Sequence, residues 1–419
     1  MPNAVFNTLY DLNAQISAGS FTSILQASDV ISIAIIHRYD TASYPIIRVR
    51  IYADAELIEN LAEYPDDINI AVTLYGNIYK TDTSGDTTSI VMPTKAITFS
   101  GKGYIENKNI PVSKMDKYKA GIKDTNDLNV DSKVPFELFV YNPEVTHKMR
   151  ERVQSIYRNS TIETVCRDIL RNAGFPENNI KIDPVRNQTR YSQILIPNLT
   201  AIESFSFFDK YYGLYQSGGL LYCDITEQSP MIYLCDTTAN NSTDTVPIYV
   251  RTEKNNASDE SGIFVSNGLY RFQTQALNVS VLTESDIERV MNPEDIVTRD
   301  MSDPENNQRV RLSELISFND KLTGIDPKEI FHKTKNEYLA QNIASRVNEN
   351  ITQVDLSGVG FDLSLFKPNT RINLVFESPI RGLNMAYCYR IKYACHVLSN
   401  ISGKLFTPQT AMHLCTNFE

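Results

Sequence analysis

Thiols and imidazoles crowd the carboxyl end of the chain at Cys388, Cys395, His396, His413 and Cys415. The chemistry such a set would do is zinc coordination. A zinc finger wants a close Cys pair and a close His pair, and this spacing supplies neither. On a strand, Cys388 and His396 share one face while Cys395 lies on the other. The five therefore read as structural thiols and imidazoles. Two carboxylate pairs, Asp66-Asp67 and Glu294-Asp295, suggest glycoside hydrolysis, which needs two acids fixed roughly 5–9 Å apart across a sugar cleft. Both pairs lie beside proline and read as solvated turn acids. Gly358-Val359-Gly360 is too short for a phosphate loop, since no Lys-Ser/Thr follows. Ser217-Gly218-Gly219 is a turn, not a nucleophile elbow, because no helix follows it. No catalytic, cofactor-binding or metal-binding residue is assigned.

The elements around these residues are better specified than the chemistry. From Pro197 to Asp224, Thr200 and Glu203 form a capping box, and Ile202, Phe205, Phe208 and Tyr212 recur at helical spacing. Gly213 is the helix stop. Leu214 and Tyr215 then lead into a hairpin through Ser217-Gly218-Gly219, with Leu220 to Tyr222 as the returning strand. A second capping box at Ser160 and Glu163 opens a helix lined by Ile162, Val165, Ile169 and Leu170 and stopped by Gly174.

Residues 1–141 read as strands interrupted by one helix, Ala55 to Glu63. Ile31, Ile33 and Ile35 alternate, as do Ile47, Val49 and Ile51, and then Ile68, Ile70, Val72 and Leu74. Thr81 to Thr88 is a polar hairpin tip, and further strands fall around Ala96 to Phe99 and Phe136 to Tyr141. Residues 142–245 read as a small α/β domain that exits through Ala239 to Thr243. Strands return over 246–282. Residues 283–325 are a polar, acidic peripheral excursion that faces partners. Asp326, Pro327 and Glu329 open a helix whose buried side is Ile330, Phe331, Tyr338, Leu339 and Ile343. Strands close the chain at Ile372–Phe376, Tyr389–Tyr393 and Met412–Leu414. The expected fold is mainly β with an α/β insertion, in which 1–141 is one barrel and 246–282 with 326–419 is a second.

Composition bounds the function. A chain of 419 residues exceeds one ordinary core, and 42% hydrophobic content is ample for packing. The 23 Tyr and 18 Phe, with no Trp, suit sheets and large polar-apolar interfaces. A net charge of -10 argues against gripping nucleic acid by its phosphates and suits a conduit better than a clamp. The amino terminus lacks the pattern of a signal peptide, and the apolar run Val30 to Ile36 is too short to span a bilayer. The six scattered cysteines then read as reduced, buried hydrophobes, and triplets such as Asn187 and Asn241 carry no glycosylation meaning.

The element order resembles the central baseplate hub protein of contractile phage tails and related injection machines. The most specific part is Tyr389 to Asn400 followed by a turn and Met412 to Asn417, with His396, Leu398, Ser399, Asn400, His413 and Leu414 in matching places. Lys367-Pro368-Asn369 before Arg371-Ile372-Asn373 resembles the turn into the preceding strand of that family. The resemblance implies two tail-tube-like barrels in one chain and a homotrimer forming a ring. That ring joins a six-fold tail tube to a three-fold spike. It also implies tape-measure and baseplate partners and a virion location after assembly in the host cytoplasm. No cofactor, no specific nucleic-acid binding and no membrane insertion are implied. Two other classes compete: a tail-tip enzyme degrading cell wall, and a receptor-binding tail component.

Overall fold

A computed structural model describes residues 5–39, 42–81, 87–105, 133–215, 219–237, 245–251, 262–265, 270–280, 297–299, 309–311, 336–347, 353–368, 370–377, 385–400 and 403–415. The first region holds β1 (Val5–Ala18), β2 (Phe21–Leu25), β3 (Val30–Arg38), β4 (Ile46–Ala53), helix α1 (Ala55–Glu63), β5 (Ile68–Thr81), β6 (Thr87–Pro93), β7 (Ile97–Ile105) and β8 (Val134–Tyr141). There follow α2 (Pro143–Arg150), β9 (Arg152–Ser160), α3 (Ile162–Asn172), β10 (Ile180–Ile182), β11 (Tyr191–Thr200), α4 (Ala201–Tyr212), β12 (Gly219–Asp224) and β13 (Met231–Asp236). The remainder comprises β14 (Thr245–Arg251), β15 (Gly262–Val265), β16 (Tyr270–Ser280), β17 (Val297–Arg299), β18 (Arg309–Arg311), α5 (Glu337–Val347), β19 (Gln353–Val359), β20 (Arg371–Glu377), β21 (Met385–Asn400) and β22 (Phe406–Cys415). The fold is mainly β, as expected.

Alternation builds the first region. Ile33 faces Val49 and Ile35 faces Ile47 across the β3–β4 ladder, and all four are buried. Burying each such side chain contributes about 1.5–3 kcal/mol. The exposed partners between them point outward, as a period of two requires. Asp54 caps α1 by accepting from Leu57 N at 2.9 Å, and Leu57 and Leu61 enter the core. Beyond α1, the Tyr64 ring covers Gly19, where φ is +57° and an added Cβ would lie 2.9 Å from the ring. Only glycine suits that turn.

Strand pairing closes on itself twice. One circuit runs β1–β5–β7–β8–β4–β3–β21–β22 and returns to β1 through the pair Tyr10↔Phe406. The other runs β22–β19–β16–β15–β14–β20–β21, with β14 and β20 parallel. Both circuits share the terminal hairpin β21–β22. Along its free side β21 pairs with β20 up to Arg390 and with β3 from Tyr393 onward. The switch is made at a bulge between Ile391 and Tyr393. The carbonyl of Lys392, the extra residue, accepts from Tyr39 N at 3.1 Å. A bulge bends a strand and re-aims its side chains, which is what changing sheet partners requires.

That bulge corrects one expectation. Tyr389 and Ile391 point inward before it, and Ala394, His396 and Leu398 after it. The parity shift puts His396 in the core and Cys388 outside, so the two do not share a face. Nor are all six cysteines buried: Cys388 is exposed and Cys395 half-buried.

Between the regions, the α/β segment contains two small sheets, the ribbon β9–β11 and the trio β10–β13–β12. The Thr200–Glu203 capping box forms as expected, and Phe205, Phe208 and Tyr212 are buried. Gly213 ends α4 at φ +71°, where a Cβ would meet Tyr338 and Leu339 backbone at 2.5 Å. The cap of α3 is Thr161, not Ser160: its hydroxyl accepts from Thr164 N at 3.3 Å, while Ser160 still belongs to β9. The expected hairpin with Leu214-Tyr215 also does not form. β12 pairs instead with β13, because Leu214 and Tyr215 are both buried and the Tyr215 carbonyl accepts from Asn342 Nδ2 at 2.9 Å. Within this segment α2, β9, β10 and β11 had no expectation.

Within the stretch expected as an acidic excursion, β17 and β18 pair as a separate two-stranded sheet. Helix α5 begins after Asn336, whose Oδ1 accepts from Tyr338 N and Leu339 N. Leu339 is buried, but Tyr338 is only half-buried. The expected Asp326-Pro327-Glu329 cap with Ile330 and Phe331, the 82–86 tip, Ser217-Gly218, the 239–243 exit, Glu294-Asp295 and Asn369 lie outside the described residues.

Candidate functional site

The partner switch of β21 carries His396 inward until it meets His37 on β3. The two rings stand edge to face, centroids 5.6 Å apart. His37 Nδ1 is hydrogen-bonded to the Tyr222 hydroxyl at 2.8 Å, and Tyr39 packs on both His37 and Tyr222 at 5.4 and 4.7 Å. His396 Nδ1 is hydrogen-bonded to Thr410 Oγ1 at 3.0 Å, and Phe366 stacks on its ring. Its Nε2 is buried and finds no hydrogen-bond partner among the described residues. Burial, opposed by the Asp224 carboxylate and aided by the Lys367 ammonium, holds the His37 imidazole down at about 4. Burial, then His37 itself, hold His396 well below its usual range. Both rings are therefore neutral at pH 7, and this pair is a packed joint.

Beside the imidazoles lies a chain of charges from three parts of the molecule. Asp224, at the end of β12, accepts from Thr226 N and Oγ1 at 2.9 and 2.5 Å. Lys367, in the turn before β20, reaches Asp224 at 3.4 Å and Glu227 at 3.0 Å. Lys95, between β6 and β7, holds the other oxygen of Glu227 at 2.8 Å. Burial would raise the Asp224 carboxyl, but Lys367, His37 and the Thr226 bonds outweigh it and keep it below the carboxylate range. For Lys367 burial works downward and the two carboxylates prevail upward. Each charge thus meets its opposite, which is the condition for keeping charges out of water.

Backbone contacts reinforce the same seam: Cys223 N donates to Ser43 O at 2.7 Å and Thr98 N to Thr226 O at 3.1 Å. Burial pushes the Cys223 thiol far up, so it is no nucleophile. Two further knots tie the parts. Leu363 N donates to the Tyr10 hydroxyl at 2.8 Å, and Arg371 Nη2 donates to Thr237 O at 2.6 Å. Asn187 is buried, and its amide donates to Tyr212 O at 2.8 Å, closing the end of α4.

The structure disperses the crowded Cys/His set. His413 Nδ1 lies 2.6 Å from Asp355 on the neighbouring strand, and Cys415 accepts from Arg390 Nε at 3.1 Å. Among the described residues no group of three or more His, Cys, Asp or Glu is placed to hold a metal ion. Asp67 pairs with Lys102 at 3.5 Å, and Asp66 contributes its backbone carbonyl to the same lysine. Gly360, at φ +76°, accepts from Thr8 N in a strand-end contact. Sequence reasoning missed the joint itself. Asp224 and Lys367 are 143 residues apart, and each is an ordinary turn residue in its own neighbourhood.

A family model, Bacteriophage PBS1 gene 109 protein, matches residues 3–398. The chain belongs to that family. Among curated proteins no sequence match was found. Solved structures similar to it include a tail protein from Neisseria meningitidis, at 8% identity and TM-score 0.48, covering 97% of this chain and 96% of that one. Another is a 43 kDa prophage tail protein from Shewanella oneidensis, at 11% identity and TM-score 0.44, covering 96% of each chain. A third is an Escherichia coli type VI secretion component described as similar to T4 bacteriophage tail proteins. It has 9% identity and TM-score 0.38, over 93% of this chain and 74% of that one.

Proposed function

We propose that this phage-family protein is a structural tail subunit, the hub of a contractile-tail baseplate. Three copies form one ring around a channel, joining a six-fold tube above to a three-fold spike below. The observation that carries this reading is two closed strand circuits fused through one hairpin in a single chain. Three such chains present six circuits around one axis, which reconciles the two symmetries.

The parts then divide the work. Residues 1–141, closed by the shared hairpin β21–β22, are the first barrel, and 246–282 with 326–419 are the second. Residues 142–245 and 283–325 lie outside the ring and face tape-measure and baseplate proteins, as projecting segments on a rigid scaffold do. The role is architectural and no reaction is assigned. DNA passes through a bore that is neutral or acidic, because phosphates gripped by Lys or Arg would slow transit. The protein acts in the virion tail after assembly in the host cytoplasm.

Light scattering of the purified chain tests the assembly. A trimer at micromolar concentration is expected, with no duplex DNA bound even at low salt. A well-behaved monomer, with no trimer in assembled particles, overturns the ring.

A further inference from the structure

The outward face of β4, β7 and β8 combines exposed tyrosines with arginines. Tyr104, Phe139 and Arg48 stand in one row across the ladders, Glu137 and Arg50 in the next, Pro135 and Tyr52 in a third. Tyr104 is 58% exposed, and Tyr52 and Tyr141 are 40% exposed. The Arg48 guanidinium lies 4.7 Å over the Phe139 ring and 3.8 Å from Glu137. Arg50 and, on the adjoining β3, Arg38 are exposed. Exposed Tyr with Arg pre-seated on an aromatic is the composition of interface hot spots. One carboxylate, Glu137, is set against three arginines in a chain whose net charge is -10.

The missing countercharge begins just past the end of β4 on the same chain. From Asp54 to Asp67, along α1 and the loop after it, Asp54, Glu56, Glu59, Glu63, Asp66 and Asp67 are all exposed, with no Lys or Arg in the run. The neighbouring helices balance their acids locally, Glu144 with Lys148 on α2 and Glu163 with Arg167 on α3. Among the described residues no Lys or Arg comes within ion-pairing distance of Glu56, Glu59 or Glu63, and no ion pair joins this run to Arg38, Arg48 or Arg50. One copy therefore carries a Tyr/Arg wall and an acidic helix, each short of its complement.

We propose that the acidic face of α1 in one copy docks on the Tyr52–Arg48–Arg50–Tyr104 wall of the next copy. Unlike surfaces then meet head to tail, the kind of contact that closes into a ring when its rotation permits. The inference rests on the ring reading above and names its contact. It also places these arginines between subunits and away from the bore.

The test is charge exchange in the full chain, read by light scattering over a dilution series with circular dichroism to verify folding. Arg48→Glu with Arg50→Glu raises the dissociation midpoint of the trimer about a hundredfold, and Glu59→Arg with Glu63→Arg does the same, because like charges then face each other. Arg50→Glu alone, at an exposed position, gives about tenfold and serves if the double variant is unfolded. Combining all four reversals restores the trimer. A wild-type trimer that survives both reversed pairs overturns this contact and leaves the ring standing. Folded reversed chains that the combined variant does not return to a trimer overturn it as well. A monomeric wild type, with no trimer in assembled particles, overturns the contact and the ring together.

Discussion

The interior of the first circuit and the joint at His37 and His396 are held by contacts of opposite kinds. Inside the circuit, Ile33, Ile35, Ile47 and Val49 meet across the β3–β4 ladder as simple alternation supplies, apolar side chain against apolar side chain. At the joint, Asp224 and Glu227 meet Lys367 and Lys95 from distant parts of the chain, in a line of charges that runs from buried Asp224 out to exposed Lys95. Apolar packing is non-directional and tolerates many arrangements of one unit against another. A charge chain is satisfied in one arrangement alone. The contrast teaches that pattern makes the parts of this molecule, while a few long-range polar pairs fix how the parts sit.

The largest expected effect breaks that contrast directly. Lys367→Met leaves the Asp224 carboxylate, whose side chain is 2% exposed, without its cation. An uncompensated buried charge costs about 3–5 kcal/mol. Adding Asp224→Leu returns most of that loss, since a buried pair replaced by apolar groups is often nearly neutral. A core truncation such as Phe99→Ala costs a similar ~3–5 kcal/mol through its cavity, and no second-site change at the joint repairs it. Urea unfolding followed by circular dichroism measures all three. Lys367→Met with wild-type stability would mean that the joint does not orient the parts.

A second effect follows from the imidazoles. His37 is held at about 4, below its ordinary 6.5, so the unfolded chain binds protons that the folded joint refuses. Stability contributed by the neutral ring is present above pH ~6.5 and is lost as pH falls toward ~4. The loss over that window is on the order of 3 kcal/mol. The groups facing His37 are Asp224, Lys367, Tyr222, Tyr39 and His396. Asp183 and Asp362, raised chiefly by burial, act in the opposite sense, so parent and variant are compared at each pH. His37→Gln reduces the dependence between pH 7 and 5, while His396, also lowered by burial, keeps its own share in the same sense. An unchanged slope removes His37 as its source.

What could be read in the sequence divides along the same line. The period of two in 31–35, 47–51 and 68–74 gives β3, β4 and β5 their inward faces, and Thr200, Glu203 and Gly213 bound α4 at both ends. These signals are local, with cause and effect a few residues apart. The bulge at Lys392 left no local mark, and one extra residue reversed the faces expected for Cys388 and His396. The joint was illegible for a stronger reason. Nothing near Lys367 announces an aspartate 143 positions away, and Asp224 reaches it only because the sheet that holds β12 packs beside the circuits.

The smallest effect tests the local end of the comparison, where a single misread residue is still measurable. Ser160 and Thr161 are both capping types at the start of α3, and spacing to Glu163 favours Ser160. The backbone decides otherwise, because Ser160 is still extended in β9, paired with Tyr191, and its hydroxyl donates to Arg158 O at 3.0 Å. Thr161 takes the Thr164 amide instead, at 3.3 Å. Thr161→Ala therefore costs about 1 kcal/mol, the ordinary value for a lost cap. Ser160→Ala stays within about 0.5 kcal/mol, as surface changes away from such features do. Equal losses at both positions would show the cap to be shared, and a larger loss at Ser160 would restore the assignment made from spacing.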